Sequence, residues 1–209
     1  MSPRAPQFTE SQITAAALEI LREQGWGTLT ARAIATRLGT STTPIYSVFA
    51  SMDDIEAAVR VEAMGRQLHY MLTPRSDNPL LDLALGYVAF ARDERMFFRF
   101  LFIDRPVPAS AALRQQLEGR GFVDRLREIL PDNRPADLLD TYFGGRSASS
   151  TNEVAYRSWI FAHGLAMLLC SGTLPTTDDT EIRRLLEGAG YAFTLLQRES
   201  APASPTEDR

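Results

Sequence analysis

Between Ser41 and Ser51 the chain crowds hydroxyl groups that could bond an oxyanion or the edge of a base: Ser41, Thr42, Thr43, Tyr46 and Ser47, with Pro44 among them. If this stretch is helical, Ile45 and Phe49 lie four residues apart on one face and turn inward. Thr42, Thr43, Tyr46 and Ser47 are then left pointing away. Side chains displayed like this can meet phosphates and base edges.

The residues around them supply the elements that would hold this face in place. Thr30 is a good helix N-cap, Ile34, Ala35 and Leu38 make one apolar face, and Gly39 supplies the left-handed residue that ends a helix. A second short helix is expected from Ser41. Pro44 does not break it, because the backbone N–H groups of a first helical turn have no intrahelical partner to lose. Two short helices joined by a tight turn have the form of a helix-turn-helix DNA reader. Upstream, Thr9 with Gln12 forms a capping box before Ile13, Ala16, Ala17, Ile20 and Leu21, Phe8 is placed to staple onto Ile13, and Gly25 is the stop. Downstream, Ser51 with Asp54 caps a longer helix whose apolar positions are Ile55, Ala58, Val59, Ala63 and Leu68. The expectation is a three-helix head on a connecting rod.

These residues in this order resemble the TetR family of bacterial transcriptional regulators. The matching ones are Leu29 and Thr30, Ile34 and Ala35, Leu38 and Gly39, Ser41, Ile45 and Tyr46, Phe49, and the run SMDDI from Ser51 to Ile55. The resemblance covers residues 7 to 67. It departs from the family where a lysine is usual near the start of the recognition helix and another just after the equivalent of Phe49. This chain has Thr42 and Met52 there, and Thr43 replaces the usual small glycine. The resemblance implies that Tyr46 and Ser47 anchor on phosphates and that Thr42 and Thr43 face bases. Ser41, Pro44 and Arg32 belong to the same DNA-facing set, and the helix starts at Thr30 and Ser51 present backbone N–H groups to the DNA backbone.

Charge and composition remove other function classes. Residues 1 to 52 hold four arginines and three acids, a slight basic excess beside a chain whose net charge is −4. There is no lysine at all, which excludes a P-loop ATPase and Schiff-base chemistry. His69 and His163 are the two histidines, and neither has a second His or Cys at short ligand spacing, so no metal or cofactor is expected. No GxSxG, GxGxxG or CxxC is present, and the chain does not read as an enzyme. Cys170, the single cysteine, reads as a buried structural thiol in its LLCSG setting. No run reaches the 18 or so apolar residues of a membrane span, and MSPRAPQF has no signal-peptide core, so a cytoplasmic location is expected. Residues 1–6 and 201–209, rich in Pro and Ser, read as disordered.

Beyond Leu72 the chain stays helical in pattern, giving an all-α fold with a second domain over residues 68 to 200. TPRSDNP ends the rod, Leu80 to Phe102 is an aromatic-rich stretch interrupted near Asp93 and Glu94, and RPVPAS breaks it again. Helical pieces are expected at Ala111–Leu130 and Ala136–Phe143, then a flexible GGRSASS. The last two helices are expected over about Asn152–Ser171 and Asp179–Gln197. The first of them contains WIFAHGLAMLLC, apolar all the way round, which must be covered on every side. The second carries a stripe at Ile182, Leu185, Leu186, Ala189, Phe193 and Leu196. Pairing these with Phe161, Leu165 and Leu168 of a second copy makes a four-helix bundle and a homodimer. Trp159, His163 and Gly164 also look like the mark of the WHG-type C-terminal domain found in part of the TetR family.

Tyr87, Phe90, Phe97 and Phe100, with Trp159, His163 and Met167, can line a cavity for an apolar or aromatic effector, or they can simply be core. The reading these features imply is a homodimeric regulator that binds double-stranded DNA at a palindrome, most simply as a repressor released by a small molecule. The alternative is a helical small-molecule binding or sequestering protein with a degenerate DNA-binding head.

Overall fold

The computed structural model describes residues 7–106, 148–174 and 178–199. The pieces expected at Ala111–Leu130, Ala136–Phe143 and GGRSASS, apart from the start of the next helix, lie outside the described residues, as do both termini. Every regular element among the described residues is helical, as the sequence pattern requires.

Helix α1 (Glu10–Gln24) begins where Thr9 Oγ1 accepts from the Gln12 amide at 3.2 Å while Gln12 Oε1 accepts from the Thr9 amide at 2.9 Å. That reciprocal pair satisfies two N–H groups which a helix start otherwise leaves open. The helix stops at Gly25, whose φ of 83° and ψ of 174° suit only a residue without Cβ. Its apolar series Ile13, Ala16, Ala17, Ile20 and Leu21 is buried. After a single 3₁₀ turn (Trp26–Thr28), Thr30 Oγ1 accepts from the Ala33 amide and opens α2 (Ala31–Arg37). Gly39 at φ 65° turns the chain out of α2. There the Thr40 amide reaches back to the Ala35 carbonyl and the Gly39 amide to that of Thr36, closing the helix end.

The second short helix differs from expectation in start and length: α3 is Thr43–Tyr46, not a helix from Ser41. The Gly39 turn closes through the Thr40 amide, and Thr42, already at φ −74° and ψ −17°, is the cap from which the helix proper starts at Thr43. Pro44 has no N–H, and the Ile45 and Tyr46 amides both bond to the Thr42 carbonyl at 3.1 Å. Helix α4 (Met52–Leu72) starts at Ser51, whose Oγ accepts from the Asp54 amide, and buries Ile55, Val59 and Ala63. Helix α5 (Pro79–Asp93) is started by Asn78, whose Oδ1 accepts from the Leu80 and Leu81 amides. It breaks at Glu94, close to where the sequence suggested, and α6 (Arg95–Arg99) follows and widens into a π-helical turn over Phe100–Asp104. The last helices are α7 (Ala148–Ser171) and α8 (Asp179–Glu199), which pack on each other. No helix among the described residues is long and apolar enough to cross a membrane.

Packing divides these elements into two compact units. Residues 7–73 and 89–106 form the first; residues 74–88, 148–174 and 178–199 belong to the second. In the first unit the segment after Glu94 folds back onto the head. Phe100 is wholly buried, stacked on Trp26 at 5.0 Å, with the Arg60 guanidinium 4.7 Å from its ring centre. Glu56 of α4 ties Arg60 at 2.8 Å and Arg105 at 2.7 Å, and the Arg105 guanidinium sits over Trp26. Burial of Ile13, Ile34, Ile45, Ile55, Val59, Phe97 and Phe100 makes this unit's core. In the second unit Val154, Ala162, Leu165, Ala166, Ile182 and Leu186 are buried, and Phe161 meets Phe193 edge-on at 6.4 Å. Cys170, the chain's single cysteine, is buried too.

Candidate functional site

The hydroxyl-bearing face is built by two buried anchors. Ile45 is fully buried and Phe49 nearly so, which fixes α3 on the head and sets its other side outward. Ser41, Thr43, Tyr46 and Ser47 are exposed, Tyr46 at 47%; Thr42 and Pro44 are half-buried. Some of these hydroxyls already have partners. Ser47 Oγ donates to the Pro44 carbonyl at 2.7 Å, and Thr30 and Ser51 use theirs to cap α2 and α4. Ser41, Thr43 and Tyr46 therefore present the outward polar chemistry of the turn and α3.

The arginines of the head are arranged less favourably for an anion. Arg37 donates from Nη1 to Glu19 at 3.1 Å and to Glu23 at 2.9 Å, and its Nη2 is bonded to Glu23 as well. The guanidinium holds the Glu23 carboxyl below the usual carboxylate range, and the two acids raise Arg37. Arg22 donates to Glu94 at 2.6 Å. Among the described residues of α1 to α3, that leaves Arg32, exposed on α2, as the arginine outside these ion pairs. The first turn of α4 carries Asp53 and Asp54, both exposed, and like charge there opposes an incoming phosphate. Sequence spacing could not show these pairings, because Glu19 and Glu23 lie on the preceding helix and Glu94 is 72 residues from Arg22.

The residues expected to line a cavity fall into two groups. Tyr87 and His163 meet in the second unit, with the Tyr87 hydroxyl 2.8 Å from His163 Nδ1. The hydroxyl donates when the imidazole carries its own proton on Nε2. Trp159, one turn earlier on α7, stacks on His163 at 5.6 Å and 24°, and Met167 follows one turn later, half-buried. Phe90, Phe97 and Phe100 belong to the first unit instead. Phe90 is edge-on to Tyr70 at 5.7 Å, Phe97 lies under the Arg66 guanidinium, and Phe100 is held by Trp26 and Arg60. Those three rings pack the core around the head.

Burial holds the His163 imidazole below its ordinary range and pushes the Tyr87 phenol up. For a histidine depressed in the folded state, the unfolded chain binds the proton first as pH falls. Its contribution to stability is complete above about pH 6.5 and is lost as the pH drops from there through the folded value. Urea midpoints measured from about pH 7.5 down to pH 5 should fall for the wild type more than for His163→Asn. Equal slopes would place the His163 ring in a wetter setting than the one seen. Among the described residues, no group of three or more His, Cys, Asp or Glu is placed to hold a metal ion.

Comparison with known proteins decides what this architecture is. Residues 13–59 match the family model for bacterial regulatory proteins of the tetR family, and residues 80–189, more than half of the chain, match the tetracyclin repressor-like C-terminal domain. The chain belongs to the TetR family. It is thus a transcriptional regulator and not an enzyme, with a DNA-binding helix-turn-helix at its N-terminus and an effector-binding domain after it. A solved structure with the same fold is that of a TetR-like transcriptional regulator from Rhodococcus sp. RHA1, at a TM-score of 0.59 and 20% identity, covering 93% of this chain and 99% of that one. No curated protein matches the sequence.

The surface that the TetR chain offers on its last two helices is not quite the expected one. Leu165, Ile182 and Leu186 are buried already within the single chain. Phe161, Leu185, Ala189 and Phe193 are half-buried, and Leu168 is exposed. Besides Leu168, the large apolar groups that remain exposed on these helices are Tyr156, Trp159, Ile160, Tyr191, Leu195 and Leu196. The run from Trp159 to Cys170, expected to be covered on every side, therefore keeps one uncovered side in the single chain.

Proposed function

We propose that this TetR-family regulator is a homodimeric repressor whose two heads bind a palindromic operator and release it when a small apolar or aromatic effector binds. The observation that carries this reading is the outward face of α3, with Thr43 and Tyr46 exposed directly above the buried Ile45 and Phe49. In that reading residues 7–67 read DNA and residues 68–200 hold the effector and the dimer contact, with a C-terminal domain of the WHG type marked by Trp159, His163 and Gly164. Heads spaced about 34 to 36 Å apart enter successive major grooves. Tyr87, Trp159, His163 and Met167, all of the second unit, contact the effector, whereas Phe90, Phe97 and Phe100 are core residues of the first. An effector that prefers the non-binding spacing of the heads shifts the population away from DNA.

A gel shift with the chain's own upstream region is the direct test. The wild type should retard it at low salt. Tyr46→Ala and Thr43→Ala should each weaken the complex by on the order of 1 to 2 kcal/mol while the dimer stays folded. Operator affinity unchanged in both variants would remove α3 from the interface.

The pairing of Arg37 with Glu19 and Glu23 supports a second expectation. Each phosphate neutralised contributes about −0.9 to the slope of log affinity against log salt. With Arg32 the main cation placed for the backbone in each head, a dimer should show a slope of roughly −2 to −4. A slope near −10 would mean that arginines outside the described head reach DNA. The same scarcity of cations is what favours the alternative, a sequestering protein with a degenerate head, and in that case no shift appears even at low salt.

A further inference from the structure

From Gly39 to Ala50 the chain reads GTSTTPIYSVFA, with no charged side chain and no side-chain amide. Guanine is most often read by paired donors of arginine or lysine, adenine by the amide of Asn or Gln, and cytosine by a carboxylate. None of those groups is present on α3 or in the turn before it. Arginines nearby do not fill the gap. Arg37 is held by Glu19 and Glu23, Arg22 by Glu94, and Arg32 lies on α2, the helix that crosses the DNA backbone in this motif.

What α3 presents outward is largely carbon. Thr43, which carries a γ-methyl beside its hydroxyl, and the Tyr46 ring are exposed, and the ring of Pro44 between them is half-buried. The Ser47 hydroxyl is turned back onto the Pro44 carbonyl, to which it donates at 2.7 Å. In the major groove, the apolar group that marks one base from the others is the C5-methyl of thymine.

We propose that α3 reads its half-site by apolar contact with thymine methyl groups, Thr43 and Pro44 being the residues that specify T·A pairs. The proposal rests on the DNA-binding reading above and adds the class of sequence that is read. A buried methyl is worth about a fourfold gain in affinity, so the same thymine removed from both halves of a palindrome should cost about fifteenfold.

The experiment starts from duplexes enriched by the intact protein out of a random-sequence pool. Each thymidine of the enriched site is then replaced in turn, in both half-sites, by deoxyuridine, which lacks only the methyl. At one or two positions per half-site the affinity should fall about fifteenfold, and 5-methylcytosine paired with guanine there should bind more tightly than plain cytosine. Thr43→Ser keeps the hydroxyl and removes the γ-methyl, and it should narrow the difference between thymine and uracil at one of those positions. Deoxyuridine tolerated everywhere, or G·C pairs enriched under α3, would overturn the proposal while leaving specific DNA binding in place. A pool that yields no enriched sequence would instead overturn the DNA-binding reading on which it rests.

Discussion

Leu168→Glu combined with Leu196→Glu is expected to give a folded monomer that has lost about a hundredfold or more in operator affinity. Both residues are exposed in the single chain, so the substitutions leave its core intact. Tyr156, Ile160, Tyr191 and Leu195 are exposed on the same two helices, an apolar surface that a lone soluble chain seldom leaves open. A symmetric contact pairs such a patch with itself, so each added carboxylate is buried twice, once from each copy. The affinity loss follows because one head reads only a half-site. Leu186→Glu is the contrasting variant: Leu186 is buried under α7, and a carboxylate there should unfold the chain rather than separate two folded ones. Sedimentation and far-UV circular dichroism distinguish the two outcomes. A folded dimer of normal affinity in the double variant would move the contact to another surface.

The features legible in the sequence are those whose partners lie within one helical turn. Thr9 with Gln12, Thr30 with Ala33 and Ser51 with Asp54 are three residues apart, and each cap stands where its spacing placed it. The interior face of the head could be read for the same reason, since Ile45 and Phe49 repeat at helical period. The start of α3 could not, because it depends on how many residues the Gly39 turn takes to close. The π-helical turn at Phe100–Asp104 carries no mark in a run of aromatics that fits an α-helix equally well. Density of aromatic residues also concealed a division within α5: Tyr87 and Phe90 are less than one turn apart, yet Tyr87 meets His163 and Phe90 meets Tyr70. Long-range ion pairs were the least visible, and they decide which arginines can reach DNA.

One of those pairs leads to the second large effect, expected for Arg22→Ala. Glu94 is 5% exposed, and while its Oε1 accepts from Arg22 at 2.6 Å, its Oε2 has no hydrogen-bond partner. The arginine is itself more than half exposed, so most of the desolvation falls on the carboxylate. Removing one member of a buried pair leaves the other charge uncompensated, typically at about 3 to 5 kcal/mol; Arg22's exposure puts the cost near the low end, about 3 kcal/mol. Glu94→Gln should cost less, about 1 kcal/mol, because the amide gives up a charge-assisted bond but leaves no buried charge behind. The double variant should then be more stable than Arg22→Ala alone, a non-additivity that only a direct coupling produces. Urea unfolding of the four proteins measures it. Glu94 is also the residue at which α5 breaks and α6 turns back toward the head, with Met96 Sδ lying 3.5 Å from where a Cβ on Gly25 would stand. Loosening this corner acts on α1 and the helix-turn-helix that α1 supports, so operator affinity should fall along with stability in Arg22→Ala and recover partly in the double variant. Strictly additive stabilities would show that Arg22 and Glu94 act independently and that the burial of Glu94 has another compensation.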